Sequence, residues 1–226
     1  MNILALDCAD RLMSAALAAK DGLFYTEIDS RSRHSELLLE CVDFLFKTSG
    51  LEPGDLNLVS CMKGPGSFTG LRIGFSTAKG LALALGIPLV AIPTLDCLSH
   101  HLSVWPGIVI PAMDAKKGCF FTAIYRKGKK LTEYMDISPE IIVKEALSLR
   151  LSGEEPIVLS GGGAELLLSG LKTFDLKHIE IDPSFGKGRA RELLEITKGV
   201  ILNDVDEIDS GPLYIRKSDA ELNKGI

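Results

Sequence analysis

Three apolar runs open the chain with very little between them. Ile3-Leu4-Ala5-Leu6 stops at Asp7, Met13 to Ala19 follows the turn Asp10-Arg11, and Leu23 to Ile28 follows Lys20-Asp21-Gly22. Short runs bounded by turn residues read as strands, and turns this tight leave successive strands antiparallel. Residues 3–28 therefore predict a meander. A helix is expected next, with Ser32 as N-cap and Leu37, Leu38, Cys41, Val42, Leu45 and Phe46 at helical spacing. Gly50 ends it. A strand over Leu58 to Met62, a helix over Leu71 to Leu85, a strand over Pro88 to Ile92 and a short helix from Thr94 through Leu102 complete the first half.

The pattern then restarts. After Trp105-Pro106-Gly107, apolar runs stand at Ile108 to Met113, Cys119 to Tyr125 and Leu131 to Ile137, the last two separated by Lys127-Gly128-Lys129-Lys130. Ser138-Pro139-Glu140 opens a helix, with Ser as N-cap and Pro in the first helical position. Ile157-Val158-Leu159 leads into Gly161-Gly162-Gly163 and another helix, and Gly188 to Leu202 reads as one more. Each half is strands first, then helix–strand–helix. The expectation is an α/β fold of two similar lobes, at 1–105 and 106–210, with a tail over 211–226 packing back on the first. The 226 residues accommodate two compact lobes.

Composition narrows the function classes. Apolar residues make up 46% and charged residues 24%, which excludes a disordered chain. Lys plus Arg is 25 against Asp plus Glu at 30, a net charge of −5. Gripping a nucleic-acid backbone alone needs clustered cations, so a chain with this balance is a poor candidate for it. The longest apolar run, Leu81 to Ile92, holds Gly86 and Pro88 and is shorter than the roughly 20 residues that span a bilayer. No basic stretch precedes the first strand as in a secretory leader, so a cytoplasmic location is expected. The 5 cysteines (Cys8, Cys41, Cys61, Cys97, Cys119) are widely spaced without a CxxC, as expected of free thiols.

The most informative motif is Gly64-Pro65-Gly66-Ser67-Phe68-Thr69-Gly70 before the second helix. Free N–H groups there, with the Ser67 and Thr69 hydroxyls, form one candidate anion site; a plain strand-to-helix turn with Thr69 as N-cap is the alternative. No GKS or GKT follows, so it is not a P-loop. Gly70, Gly74, Ala78 and Ala82 recur every four residues and give one helix face of small side chains, suited to its own sheet or to a partner helix. The helix from Ser35 to Ser49 carries Leu39 and Phe44 outside its main stripe, and a second apolar face needs a second partner. Asp7 and Asp114 each end the first strand of a lobe. With Gly162 they suggest a nucleotide cleft, but Asp7-Cys8-Ala9-Asp10-Arg11 lacks the residues that wrap a phosphate. The 4 histidines (His34, His100, His101, His178) form no HExxH, and no GxSxG is present, so neither a zinc peptidase nor a serine hydrolase is indicated.

Gly64 to Gly74, reading GPGSFTGLRIG, resembles the hallmark of the TsaB (YeaZ) family. Ile3-Leu4-Ala5-Leu6-Asp7, Arg33-His34-Ser35-Glu36-Leu37-Leu38, Asp114-Ala115-Lys116-Lys117-Gly118 (Lys for the family's Arg) and Pro212-Leu213-Tyr214-Ile215-Arg216 agree with it in order along the chain. The resemblance implies the duplicated, ribonuclease H-like ASKHA fold of actin, sugar kinases and Hsp70. It implies a non-catalytic scaffold subunit, without a metal or a strongly bound cofactor. Such a subunit supports the paralogue TsaD in threonylcarbamoyl transfer to a tRNA adenosine. The complex uses ATP and includes the ATPase TsaE, and tRNA is met only through it. TsaD's metal-binding histidine pair is reduced here to His34. The pairing contact is expected at His34, Leu37, Leu38, Cys41, Leu45, Gly70, Arg72, Gly74 and Ala78, with a homodimer when TsaD is absent. A bulky residue at Gly74 should then abolish pairing and leave the monomer folded. Asp7, Ser67, Thr69, Asp114 and Gly162 remain as weak anion contacts. The competing reading is an ASKHA-type ATPase or small-molecule kinase. In the family the turn after the first strand is rich in Thr and Ser, and Cys8-Ala9-Asp10 departs from it.

Overall fold

The computed structural model describes residues 1–31, 33–172, 174, 176–199 and 211–215. Ser32, expected as an N-cap, lies outside them, as do Arg216 and the end of the helix expected to reach Leu202. The described residues of Met1–His101 and Gly186–Pro212 form one compact unit, and those of Leu102–Phe185 and Leu213–Ile226 a second.

In the first unit the expected meander is present: β1 (Ile3–Asp7), β2 (Leu12–Ala19) and β3 (Gly22–Asp29) pair antiparallel in succession. Then come α1 (His34–Ser49), β4 (Leu58–Gly64), α2 (Phe68–Leu85), β5 (Leu89–Pro93) and α3 (Thr94–His100). β4 runs parallel to β1 and β5 parallel to β4, giving the order β3-β2-β1-β4-β5. All five residues of β1 are buried, as for a strand covered on both faces. Leu4 and Leu6, with Met13, Ala15 and Leu17 of β2, face a core completed by Leu38, Cys41, Val42 and Leu45 of α1 and by Phe75, Ala78 and Ala82 of α2. At about 1.5–3 kcal/mol per large apolar side chain, this burial holds α1 in place more firmly than its N-terminus does, for Arg33 supplies no side-chain cap. Gly50, at φ 70°, closes α1 in a left-handed C-cap.

The second unit repeats the plan. Its strands are β6 (Ile108–Asp114), β7 (Phe120–Thr122), β8 (Tyr125–Arg126), β9 (Lys129–Lys130), β10 (Met135–Ile137), β11 (Ile157–Ser160) and β12 (Ile179–Ile181). The path β10-β7-β6-β11-β12 has the same order and directions as the first sheet: three antiparallel strands, then two parallel ones. α4 (Pro139–Leu149) starts at Ser138 with proline in the first turn, as expected, and α5 (Ala164–Leu171) follows β11. The run Cys119 to Tyr125 is not one strand. It breaks at Ala123-Ile124, so β7 and β8 pair with opposite ends of β6, and β9 pairs with β8. Lys129 and Lys130, expected in a turn, form that short strand.

Two expectations are corrected. The boundary falls at His101–Leu102, and Gly107 lies inside the second unit, where a Cβ would collide with the Pro156 carbonyl oxygen. The last described helix, α6 (Ala190–Gly199), belongs to the first unit, not to a lobe spanning 106–210. It packs on β1, β2, β4 and β5, and its Thr197 hydroxyl meets Ser60 of β4 at 2.7 Å. Of the tail, Gly211 and Pro212 group with the first unit, but Leu213–Ile215 group with the second.

The second unit is braced by Arg126, whose Nε and Nη2 donate to the Glu155 carboxylate at 2.7 and 3.0 Å and whose Nη2 also reaches the Leu149 carbonyl. Partial burial pulls the Glu155 pKa upward, but hydrogen bonds from Arg126 and the Leu151 N–H outweigh it and hold the group below its ordinary value. Arg126→Leu should therefore cost about 3 kcal/mol at neutral pH, because it strips a buried carboxylate of its guanidinium and leaves it the Leu151 N–H and the nearby Arg150 charge. A carboxylate with a lowered folded pKa stabilises above the unfolded value of 4.5, and that stabilisation is lost as pH falls through the folded pKa. Urea unfolding at pH 7 and pH 3 should show the gap between wild type and variant closing at the acid end.

Candidate functional site

The turn after β1 is the focus of the first unit. Asp7 is 5% exposed. Its Oδ1 accepts the Ala9 N–H at 3.1 Å, and its Oδ2 accepts the Arg189 N–H at 2.8 Å and the Ser14 hydroxyl at 3.4 Å. Ser14 Oγ in turn accepts the Ala190 N–H at 3.0 Å. Ala190 is the first residue of α6, so Asp7 and Ser14 together cap that helix from two strands, with an anion at its positive end. Burial pushes the Asp7 pKa above the ordinary carboxylate value, opposed by the N–H groups of Arg189 and Ala9. Tyr25 donates to Glu27 at 2.7 Å, and Glu27 accepts the Gly188 N–H at 3.2 Å. A Cβ on Gly188 would collide with Ser14. The Lys187–Ala190 segment is thus fastened to β1, β2 and β3, a role that only the Gly-Lys-Gly-Arg run at 186–189 hinted at in the sequence.

The glycine-rich loop leans on this turn. Ser67 N–H donates to the Ala9 carbonyl at 2.7 Å. Ser67, not Thr69, is the N-cap of α2: its hydroxyl accepts the Gly70 N–H at 3.2 Å, while Thr69 is exposed within the first turn. A Cβ on Gly66 would stand 2.5 Å from the Ala9 oxygen, one on Gly70 would collide with the Cys8 carbonyl oxygen, and one on Gly74 would lie 3.1 Å from Cys8 Cβ. The motif's glycines answer to this close approach of α2 to the β1–β2 turn.

This places most of the expected pairing residues inside the fold. Gly70, Gly74 and Ala78 face Cys8 and the core; Leu38, Cys41 and Leu45 are buried in the same core. His34 is 5% exposed, with Nε2 at 2.9 Å from the Asp10 carbonyl and Nδ1 at 3.1 Å from the Ser30 hydroxyl. These side chains are covered by the chain itself, so the small-residue stripe is a sheet-packing face and not a docking face. Leu37 is half-buried and Arg72 exposed, its guanidinium stacked 3.8 Å from the Phe68 ring. The apolar side chains left exposed on these helices are others: Leu39 and Phe44 on α1, Phe68 and Leu83 on α2. Leu39 and Phe44 had appeared in the sequence only as residues off the stripe.

In the second unit Asp114 ends β6 and is exposed. Its carboxylate accepts the Lys116 N–H at 2.7 Å and the Lys116 ammonium at 2.6 Å. Partial burial raises its pKa, but Lys116 outweighs that and the net shift is downward. Gly162 is exposed between buried Gly161 (φ 83°) and Gly163, whose Cβ would press on the Ala112 carbonyl. Among the described residues no three His, Cys, Asp or Glu side chains gather as a metal cage. No helix among them is long and apolar enough to cross a membrane. Cys8, Cys41, Cys61 and Cys97 are buried free thiols, and burial pushes the Cys8 and Cys97 pKa values well up.

Two outcomes follow from this packing. Gly74→Leu should destabilise the isolated chain by about 1–3 kcal/mol through overpacking against Cys8. A lowered urea midpoint checks this and corrects the expectation of a folded monomer that merely fails to pair. Asp7→Ala should cost about 1–3 kcal/mol for each buried N–H left without its acceptor. With the folded pKa raised above 3.8, the Asp7 contribution is largest below that value and declines as pH rises through the folded pKa. Urea titrations across that range should show the difference from wild type widening towards acid.

A family model described as "TsaD: tRNA N6-adenosine threonylcarbamoyltransferase" matches residues 26–207. The tRNA threonylcarbamoyladenosine biosynthesis protein TsaB of Bacillus subtilis is 29% identical over 74% of this chain and 73% of its own length. Its Escherichia coli counterpart of the same name is 32% identical over 71% of this chain and 72% of its own. A Pseudomonas aeruginosa crystal structure, described as an uncharacterized protein with similarity to peptidase YeaZ, superposes with a TM-score of 0.80. It is 21% identical and covers 95% of this chain and 99% of that one, which speaks for the fold. With the ASKHA-type strand order in both sheets and these relatives, the chain belongs to the TsaB family.

Proposed function

We propose that this chain acts in tRNA threonylcarbamoyladenosine biosynthesis as a non-catalytic subunit that pairs with TsaD. The observation that carries the reading is the set of large apolar side chains that the first unit's two helices leave in solvent: Leu39, Phe44, Phe68 and Leu83 are 60%, 54%, 49% and 55% exposed. Aromatic and arginine side chains are the usual anchors of protein interfaces, and Phe68 with its stacked Arg72 supplies both. Of the expected interface residues, Arg72 is exposed and Leu37 is half-buried against the core. TsaE would join this assembly and supply the ATPase activity, tRNA would be held mainly by partners, and a homodimer would use the same helices.

The competing ATPase or kinase reading needs Asp7 and the glycine-rich loop free to meet a phosphate. Asp7 is buried on the backbone of α6, and the Ser67 N–H is taken by Ala9. Both facts favour a scaffold. Phe44→Asp with Leu83→Asp should weaken TsaD binding at least tenfold, about 1.4 kcal/mol, and leave the unfolding midpoint unchanged. Titration calorimetry between the two purified proteins makes the check, and undiminished binding by the folded variant overturns the assignment.

A further inference from the structure

One small structure in the second unit remains unaccounted for by pairing. The β8–β9 hairpin turns through Lys127 (φ 49°) and Gly128 (φ 72°), a two-residue loop with both central residues left-handed. Such turns favour Asn, Asp or Gly in the first place, and a lysine there carries a conformational penalty. Across the strands Lys129 stands directly opposite Arg126, a like-charge pairing that is itself unfavourable. Glu155 neutralises Arg126, and Lys130 lies over the Tyr134 ring at 3.7 Å with Glu133 at 3.9 Å. Lys127 and Lys129 are exposed and make no ion pair among the described residues. A Cβ on Gly128 would lie 3.2 Å from Ser103 Cβ, and Arg126 is held by Glu155 and Leu149, so the hairpin is braced at its base.

Lysines on a two-residue edge strand also discourage sheet-to-sheet aggregation. That explains Lys129 and Lys130 but not Lys127, which sits in the turn. Backbone strain retained to hold a side chain at an exposed tip points to a use for that side chain. In a chain of net charge −5, a hairpin braced at its base, with Lys127 and Lys129 in no ion pair among the described residues, suits a polyanion met at one place and not along a broad surface. We infer that the Lys127–Lys130 hairpin tip is a contact for the phosphate backbone of RNA, the tRNA of the function proposed above, on which this inference rests. Lys127 and Lys129 neutralise phosphates, and the aromatic ring of Tyr134 supports Lys130 beside them. The contact orients the RNA without reading its sequence.

The test uses Lys127→Gln with Lys129→Gln in the chain assembled with TsaD, titrated against tRNA over a series of salt concentrations. The affinity is expected to fall about three- to tenfold, and the slope of log K against log salt to flatten by about one to two. Lys127→Arg with Lys129→Arg should restore both, with pairing and thermal midpoint unchanged throughout. Unaltered affinity and slope overturn the inference. Loss of TsaD pairing in place of tRNA affinity also overturns it, and marks the tip as a contact for an acidic protein surface. If the wild-type chain does not pair with TsaD, the proposed function fails. The isolated chain is then titrated against tRNA at low salt, where equal binding by wild type and glutamine variant overturns the hairpin contact by itself.

Discussion

The first unit is closed by a single carboxylate. Asp7 lies at the end of the first strand, and the N–H it holds belongs to Arg189, 182 residues later. A helix N-terminus buried without acceptors is a serious penalty, and α6 avoids it by borrowing Asp7 and Ser14 from β1 and β2. The rest of that face follows. Once α6 is anchored, Thr197 reaches Ser60, Arg189 pairs with Glu192 at 3.0 Å, and Tyr25 and Glu27 fix Gly188. The same turn receives α2 from the other side, through Gly66, Gly70 and Gly74. Five residues, Asp7 to Arg11, therefore set the positions of two helices.

Much of the fold was legible in the sequence because it depends on local patterns. Turns of two or three residues between apolar runs dictate antiparallel neighbours, and the glycine at position 50 dictates a helix end. The restart of strands followed by helix and strand was legible for the same reason, but the order of strands in the sheets was not, and β12 passed unread. The position of α6 was not legible either, because its buried stripe (Ala190, Leu193, Leu194, Thr197) shows only that a partner exists. Which sheet it covers is decided by Asp7, a residue at the other end of the chain. The run Cys119 to Tyr125 is apolar apart from Thr122, and it holds no turn residue that marks the break sending β8 to the other end of β6.

The candidate site was legible in its location and misread in its direction. Gly70, Gly74 and Ala78 do form a face of small residues. Helical periodicity states that such a face admits a close neighbour and leaves open whether that neighbour is foreign. Here it is the Cys8–Ala9 backbone. The large apolar side chains left in solvent lie at the margins of the stripes, Leu39 and Phe44 on α1 and Phe68 and Leu83 on α2.

The repeated topology allows one further comparison, between the carboxylates that end the first strand of each sheet. Asp7 and Asp114 hold equivalent positions, yet their environments drive their ionisation in opposite directions. Asp7 is enclosed and meets backbone N–H groups and a hydroxyl; burial dominates and its pKa rises. Asp114 is open to solvent, and Lys116 provides both an N–H and an ammonium, which outweigh partial burial and lower it. A carboxylate that coordinates a phosphate-bound cation needs to be charged and reachable. Asp7 is not reachable, and both Asp114 oxygens already hold hydrogen bonds from Lys116. The fold keeps an acid at the end of each first strand, and in each unit that acid is engaged by the chain's own groups: as a helix cap in the first, and as a clamp on the turn after β6 in the second.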